Sequence, residues 1–219
     1  HMLFQSDAIK LTREKLHPSK SLIGFVGGLW TLLQFATDNK NKNFEIEEYH
    51  FVFMKEILLP LIKRNIQLQL DSGAEIVMMF DSGLNNLDKK IFVNQYINLI
   101  ADISNSFPKK IGYYLRGKEY SDLQFLFSLP LAGIGINSEI SISKTLTNYK
   151  TGFIQGNFDQ KKLLMDKNNL REEMYKYCEK IKSLDIATGW VCSLGHGIDR
   201  NTPEENVHLF IDIIRKEFK

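Results

Sequence analysis

Six short apolar segments, each closed by glycine or a small polar residue, constrain the fold of this chain more than any other feature. They are "SLIGFVGG", "EIVMMFDSG", "KIGYYLRG", "LAGIGINS", "TGFIQGNFD" and "ATGWVCSLGHG". Each is apolar along its length and does not alternate, as expected of parallel strands covered on both faces or closed into a barrel. Helical patterns separate them, which gives an α/β chain of six strand–helix units. Their exits carry Gly27-Gly28, Asp81-Ser82, Arg116-Gly117, Asn137-Ser138, Gly156-Asn157 with Asp159, and Gly195-His196. Such positions, at the carboxyl ends of parallel strands, are where barrel and open-sheet enzymes keep their sites. A closed (β/α)8 barrel takes eight units and about 250 residues. This chain has 219 residues and six units, so its sheet has two open edges. Open edges must be covered by pairing, swapping or a partner chain, and self-association is the expected remedy.

The helices read from periodicity. The first runs from about Ser6 to Lys15, and "WTLLQFAT" begins the second. A long pattern follows, with Phe51, Met54, Ile57, Leu58, Leu61 and Ile62 at helical spacing, a kink or break at Pro60, and an end at Gly73. "KKIFVNQYINLIADISNSF" is helical, and "SDLQFLFSLP" is a short helix with Ser121 as its N-cap. "KKLLMDKNNLREEMYKYCEKIKS" reads as one amphipathic helix, and "PEENVHLFIDIIRKEF" as a closing helix with Pro203 in its first turn.

Charge and composition exclude several classes. With 28 Lys+Arg against 26 Asp+Glu the balance is too even for a polyanion binder, so nucleic acid is not an expected partner. The densest lysines, Lys161, Lys162 and Lys167, mix with Asp159 and Asp166 as on a solvated helix face. Cys178 and Cys192 lack metal-ligand spacing and suit a reducing compartment. No apolar run approaches the roughly 20 residues of a membrane span, and the start has no signal-peptide pattern. The expectation is a cytoplasmic protein with no membrane partner. With 43% hydrophobic residues, 1–219 can bury the core of one domain. His1-Met2 reads as a remnant of cloning.

One exit stands out. "SLGHGIDRNTPEENV" sets His196 between two glycines, just before a helix start. Glycine permits φ > 0 and close backbone approach, so the expectation is a tight exit that presents one imidazole to open space. A plain turn residue is the simpler alternative.

Together the exits resemble the uroporphyrinogen decarboxylase family. "SLIGFVGGLWTLLQF" is similar to its PLIGFxGxPWTLxxY stretch, and "GAEIVMMFDSG" to its GAdxxqxFdSw strand. "FIQGNFDQ" is similar to QGNLDP, and "SLGHGIDRNTPEENV" to NLGHGIxPxTPPENV. These fall in family order and spacing from about Ser6 to the C-terminus. The resemblance implies a (β/α)8 barrel, usually a homodimer, that removes four acetate carboxyls from uroporphyrinogen III in haem biosynthesis without a cofactor. Protonating a pyrrole ring makes an electron sink, carbon dioxide leaves, and a proton is delivered to the resulting carbon. By resemblance His196 and Ser82 contact substrate side chains and Phe25 lines the pocket, while Gly156 and Asn157 form a loop kept for its backbone shape. Phe35 stands where the family has an active-site tyrosine. Loss of a hydrogen bond to a charged group typically costs about 1.5–3 kcal/mol.

Other departures are Asn137 and Ser138 in place of an aspartate and a tryptophan, and "FDSG" for FDSW. The resemblance also places the family's first two βα units before residue 1. Those units carry an arginine-rich carboxylate-binding loop and an aspartate that coordinates pyrrole N–H groups. Arg13, in the opening helix, and Arg116, at another strand end, do not substitute for both. No residue is therefore assigned a catalytic role, and the carboxy-lyase activity of this chain is expected to be impaired or absent. Three accounts fit: a piece of a longer decarboxylase, a short paralogue, or half of a split enzyme. The substitutions at Phe35, Asn137 and Ser138 favour the paralogue, because a cut alone would not change residues that remain. Such a paralogue would bind a tetrapyrrole or a protein partner. A related cobalamin-dependent methyltransferase branch holds zinc through an HxC pattern and a distant Cys; no HxC occurs here, so no metal is expected.

Overall fold

The computed structural model describes residues 3–38, 46–116, 119–184 and 189–219. Six strands form one sheet in chain order: β1 (Ile23–Gly27), β2 (Ile76–Asp81), β3 (Ile111–Leu115), β4 (Gly133–Gly135), β5 (Phe153–Gln155) and β6 (Trp190–Val191). The β1/β2, β2/β3 and β5/β6 pairs are parallel. In-order parallel strands separated by helices are the topology of a (β/α)8-type barrel with six of its units. The chain forms two compact units, His1–Ile134 and Gly135–Lys219.

In the first unit, α1 (Leu3–Lys15) precedes β1, and α2 (Leu29–Ala36) follows it. The long periodic segment before β2 is α3 (Glu48–Phe53), a π-turn at Met54–Leu58, and α4 (Leu59–Asp71). The π-turn runs up to Pro60 in the second position of α4. Proline has no N–H and crowds the preceding turn, so a widened turn there replaces the expected break and the helix continues. Gly73 ends it at φ +108°. After β2 come α5 (Lys89–Ile91), a second π-turn at Phe92–Tyr96, and α6 (Ile97–Ser106). Ser121 is not the cap of α7 (Tyr120–Leu123). Glu119 is, paired with Asp122 in a capping box, and the Ser121 hydroxyl accepts from Lys89 Nζ at 3.1 Å.

The second unit contains a helix the periodicity did not reveal, α8 (Ile142–Asn148), capped by Ser141, which accepts from the Lys144 N–H. The single amphipathic helix expected after β5 is instead a 3₁₀ turn (Gln160–Leu164) and α9 (Lys167–Lys182). Asp166 caps α9 through the N–H groups of Asn168 and Asn169, so a strong start signal lies inside the apparent run. In α10 (Glu204–Glu217), Pro203 occupies the N-cap position. Phe158, Leu163, Leu170, Met174, Cys178 and Ile213 form the core under α9 and α10.

The open edge of β1 has its own cover. Leu22 O accepts from Glu75 N–H and Gly28 N–H donates to Phe80 O, so the even-numbered backbone groups point at β2. Phe25 therefore points its backbone outward. The Gln69 side chain of α4 meets both groups: Oε1 accepts from Phe25 N–H at 3.0 Å, and Nε2 donates to Phe25 O at 2.9 Å. One carboxamide does there what a neighbouring strand would do.

Candidate ligand site at the strand exits

In the first unit, register assigns side chains to faces. Phe25 pairs with Met78, Gly27 with Phe80, and Phe80 with Tyr114. Successive side chains alternate across a sheet. Ile23, Phe25, Met78, Phe80, Gly112 and Tyr114 therefore share one face, and Val26, Val77, Met79, Asp81, Tyr113 and Leu115 the other. The second face is buried throughout. The first is open at β1, where Phe25 is 71% and Ile23 41% exposed, against the expectation of strands covered on both sides. Phe25 meets Phe80 edge-on with ring centroids 6.5 Å apart, and Phe80 lies 5.6 Å from Tyr114. An aromatic row thus crosses three strands.

Behind that row, on the packed face, stands Asp81. It is fully buried. Its carboxylate accepts from Tyr96 OH, from Tyr113 OH at 2.7 Å, and from Thr31 N–H at 3.0 Å. Tyr96 OH in turn accepts from Trp30 N–H at 2.8 Å. The N-cap of α2 is Gly28, which has no side chain to offer, and a Cβ there would lie 2.1 Å from Asp81 Cγ. Asp81 and Tyr96 therefore cap α2 from other elements, taking the second and third N–H groups that a local cap would take. Burial raises the Asp81 pKa, and hydrogen bonds led by Tyr96 oppose that rise. Burial likewise pushes Tyr96 and Tyr113 well above the usual phenol range, with the Asp81 charge as the next cause.

This staple positions three of the sequence-derived candidates. Ser82 follows Asp81 directly and is exposed. Phe35 lies near the end of the helix that Asp81 caps and is 63% exposed. Phe25 heads the aromatic row. Sequence reading named Asp81 only as an exit residue and missed its capping role, and it did not single out Phe80 or Tyr114. The signal was present as a lone carboxylate ending the apolar run IVMMFD, and as aromatics at matching alternation in neighbouring strands.

In the second unit, His196 is exposed, with Nδ1 3.2 Å from Gly197 O. Of the two properties of glycine that permit a tight exit, positive φ is not the one used at Gly195 and Gly197; among the described residues the positive-φ glycines are Gly73, Gly156 and Gly189. Gly195 serves close approach instead, since a Cβ there would lie 2.4 Å from Ser138 N, whereas Gly197 faces open space. Gly156 sits at φ +141°, and a Cβ would lie 2.8 Å from Ile136 O. Asn157 is 6% exposed, and its Nδ2 donates to Asn137 O and Ile140 O, each at 2.7 Å. Tyr177 OH accepts from Asn157 N–H and donates to Gly156 O, and Trp190 Nε1 donates to the same carbonyl at 2.8 Å. Asn137 is buried, with Nδ2 3.4 Å from Glu139 Oε2. Burial pushes the thiols of Cys178 and Cys192 up to about 11 and about 12. Among the described residues no three of His, Cys, Asp and Glu are grouped as metal ligands, and no helix is long and apolar enough to cross a membrane.

A family model described as uroporphyrinogen decarboxylase matches residues 1–217. The uroporphyrinogen decarboxylase of Rickettsia bellii is 30% identical over 97% of this chain and 66% of its own length. That of Rickettsia felis is 26% identical over 95% and 63%, and that of Helicobacter acinonychis 27% over 97% and 65%. The chain thus spans 63–66% of the length of these relatives. Among solved structures, a methyltransferase from Methanosarcina mazei superposes with a TM-score of 0.75 at 16% identity, over 98% of this chain and 64% of that one. A B12-independent methionine synthase from Shewanella does so with 0.67 at 10%, over 97% and 67%. At such identities these likenesses show the fold alone.

Proposed function

Because the chain belongs to the uroporphyrinogen decarboxylase family, we propose that it is a decarboxylase-like protein of haem biosynthesis that holds a carboxylated tetrapyrrole at its strand exits. The observation that carries this reading is the aromatic row from exposed Phe25 through half-buried Phe80 to buried Tyr114, open at its Phe25 end, with exposed Ser82 directly after β2. Flat pyrrole rings stack on aromatic side chains. A carboxylate arm takes a hydrogen bond from a hydroxyl group, the role given to Ser82 of the first unit. His196 of the second unit is by resemblance an imidazole donor to such an arm, taken by itself. Gly156 and Asn157 act through backbone shape, since the Asn157 carboxamide is engaged by the carbonyls beyond β4. In this reading 1–219 is one barrel-type domain of the cytoplasm that works without a cofactor and self-associates.

Its own decarboxylation is weak or lost, because Phe35 has no hydroxyl to donate and Asn137 carries no charge. The test pairs fluorescence titration of uroporphyrin with turnover of chemically reduced uroporphyrinogen III. Uroporphyrin binding with slow or no formation of coproporphyrinogen is expected, and absence of binding overturns the proposal. The exposed Phe35 also favours a second reading, a paralogue that binds without catalysing. Phe35→Tyr separates the two: a rise in turnover supports the enzyme, and binding with no turnover in either form supports the paralogue.

A further inference from the structure

We propose that Arg116 is a carboxylate-binding residue of this chain, set beside the aromatic row at the exit of β3 to grip an acidic arm of an aromatic polycarboxylate. The inference rests on the tetrapyrrole reading for its natural ligand, but its geometry belongs to the first unit alone. The β2–β3 ladder pairs Phe80 with Tyr114 and Asp81 with Leu115. Arg116 N–H then donates to Asp81 O at 3.4 Å, which ties Arg116 to the end of β2 one residue past β3. Ser82 and Arg116 thus directly follow the paired residues Asp81 and Leu115, and both are exposed where those two are buried. Arg116 is exposed, as an anion-binding side chain must be. Its guanidinium also pulls the Tyr114 phenol downward against the rise caused by burial, which requires the charge to lie near that ring.

The chemistry follows from the side chains. A guanidinium offers two parallel N–H groups to a carboxylate, and the Ser82 hydroxyl can donate to the same or a neighbouring arm. Phe25 and Phe80 supply apolar surface for a flat ring system. Specificity then depends on carboxylate number: an octacarboxylate carries two arms on each pyrrole ring and a tetracarboxylate one, so the octacarboxylate has twice as many arms to offer Arg116.

The test uses the full chain with two probes, uroporphyrin and the aromatic polycarboxylate mellitate, against wild type, Arg116→Gln and Arg116→Lys. Arg116→Gln is expected to weaken both probes roughly ten-fold or more, and Arg116→Lys to restore part of the loss. Wild type is expected to prefer uroporphyrin to coproporphyrin, with that preference reduced in Arg116→Gln. Circular dichroism of both variants should match wild type, because the side chain is exposed. If Arg116→Gln binds both probes as tightly as wild type, the assignment is wrong. If mellitate binds in an Arg116-dependent way while uroporphyrin does not bind, Arg116 stands and the tetrapyrrole reading falls. If wild type binds neither probe, the subsite itself is refuted.

Discussion

Ser82 and Asp81 are adjacent, yet they do opposite things because a strand alternates: one faces solvent at the exit and the other is buried among hydroxyl and amide donors. Removing the carboxylate leaves Tyr96 OH, Tyr113 OH and Thr31 N–H without their acceptor. Asp81→Ala should therefore cost about 3–5 kcal/mol in urea unfolding, and Tyr113→Phe, which deletes one donor, about 1.5–3 kcal/mol. The pH dependence has a definite sign. A folded pKa raised above the unfolded value near 3.8 means that the folded state holds the proton more tightly. The stability that Asp81 contributes is then fully present below that value and declines as pH rises through the folded pKa. The stability difference between wild type and Asp81→Asn should accordingly shrink from pH 3 toward neutrality; a growing difference would contradict it. The glycines around His196 make a second contrast at this scale. Gly195→Ala meets the Ser138 backbone and should destabilise, while Gly197→Ala meets nothing and should leave the melting temperature unchanged.

At the scale of elements, the strands were legible because an unbroken apolar run with a glycine or polar exit has few other readings. β1, β2 and β3 all fall within the segments that the pattern marks. The π-turns were not legible, since a widened turn keeps helical hydrophobic spacing almost intact. α8 escaped because seven residues are too few to show a period. The break before α9 was visible in principle as Asp166 ahead of two amide donors, and the surrounding lysines masked it as one long face. That face is more than a solvated charge run. Glu173 accepts from both Lys162 and Lys176, and these hydrogen bonds, Lys162 first, hold its carboxyl below the usual range. A lowered carboxylate contributes stability above its unfolded pKa and loses it as pH falls through the folded one. Glu173→Gln should thus cost about 0.2–1 kcal/mol at pH 7, the scale of partly exposed pairs. The cost should shrink as pH falls below the unfolded carboxylate range, as read from thermal melts across an acid pH series. A cost that stays constant throughout that series would assign the effect to packing.

For the whole molecule, six strands in order imply edges, and sequence pattern cannot say how an edge is covered because the cover depends on a side chain from a different element. Gln69 is an example: in sequence it is one polar residue on a helix, and in the fold it completes the backbone pairing of Phe25. Its fit also explains Gly24, where a Cβ would lie 2.2 Å from Gln69 Oε1. The candidate residues show the same limit, since motif singles out Ser82 and Phe25, whereas the buried side of Asp81 is visible only once register assigns faces. An edge strand with free N–H and C=O groups beside an exposed Ile23 and Phe25 is a template for pairing with another chain. Gln69→Ala should expose that template at Phe25 while leaving the apolar face unchanged. Sedimentation velocity across a concentration series should then show more self-association than wild type, and the gain should be suppressed by a charged substitution at Ile23. If Gln69→Ala changes stability but not the concentration dependence, Gln69 is only a packing residue and the edge is protected by other means.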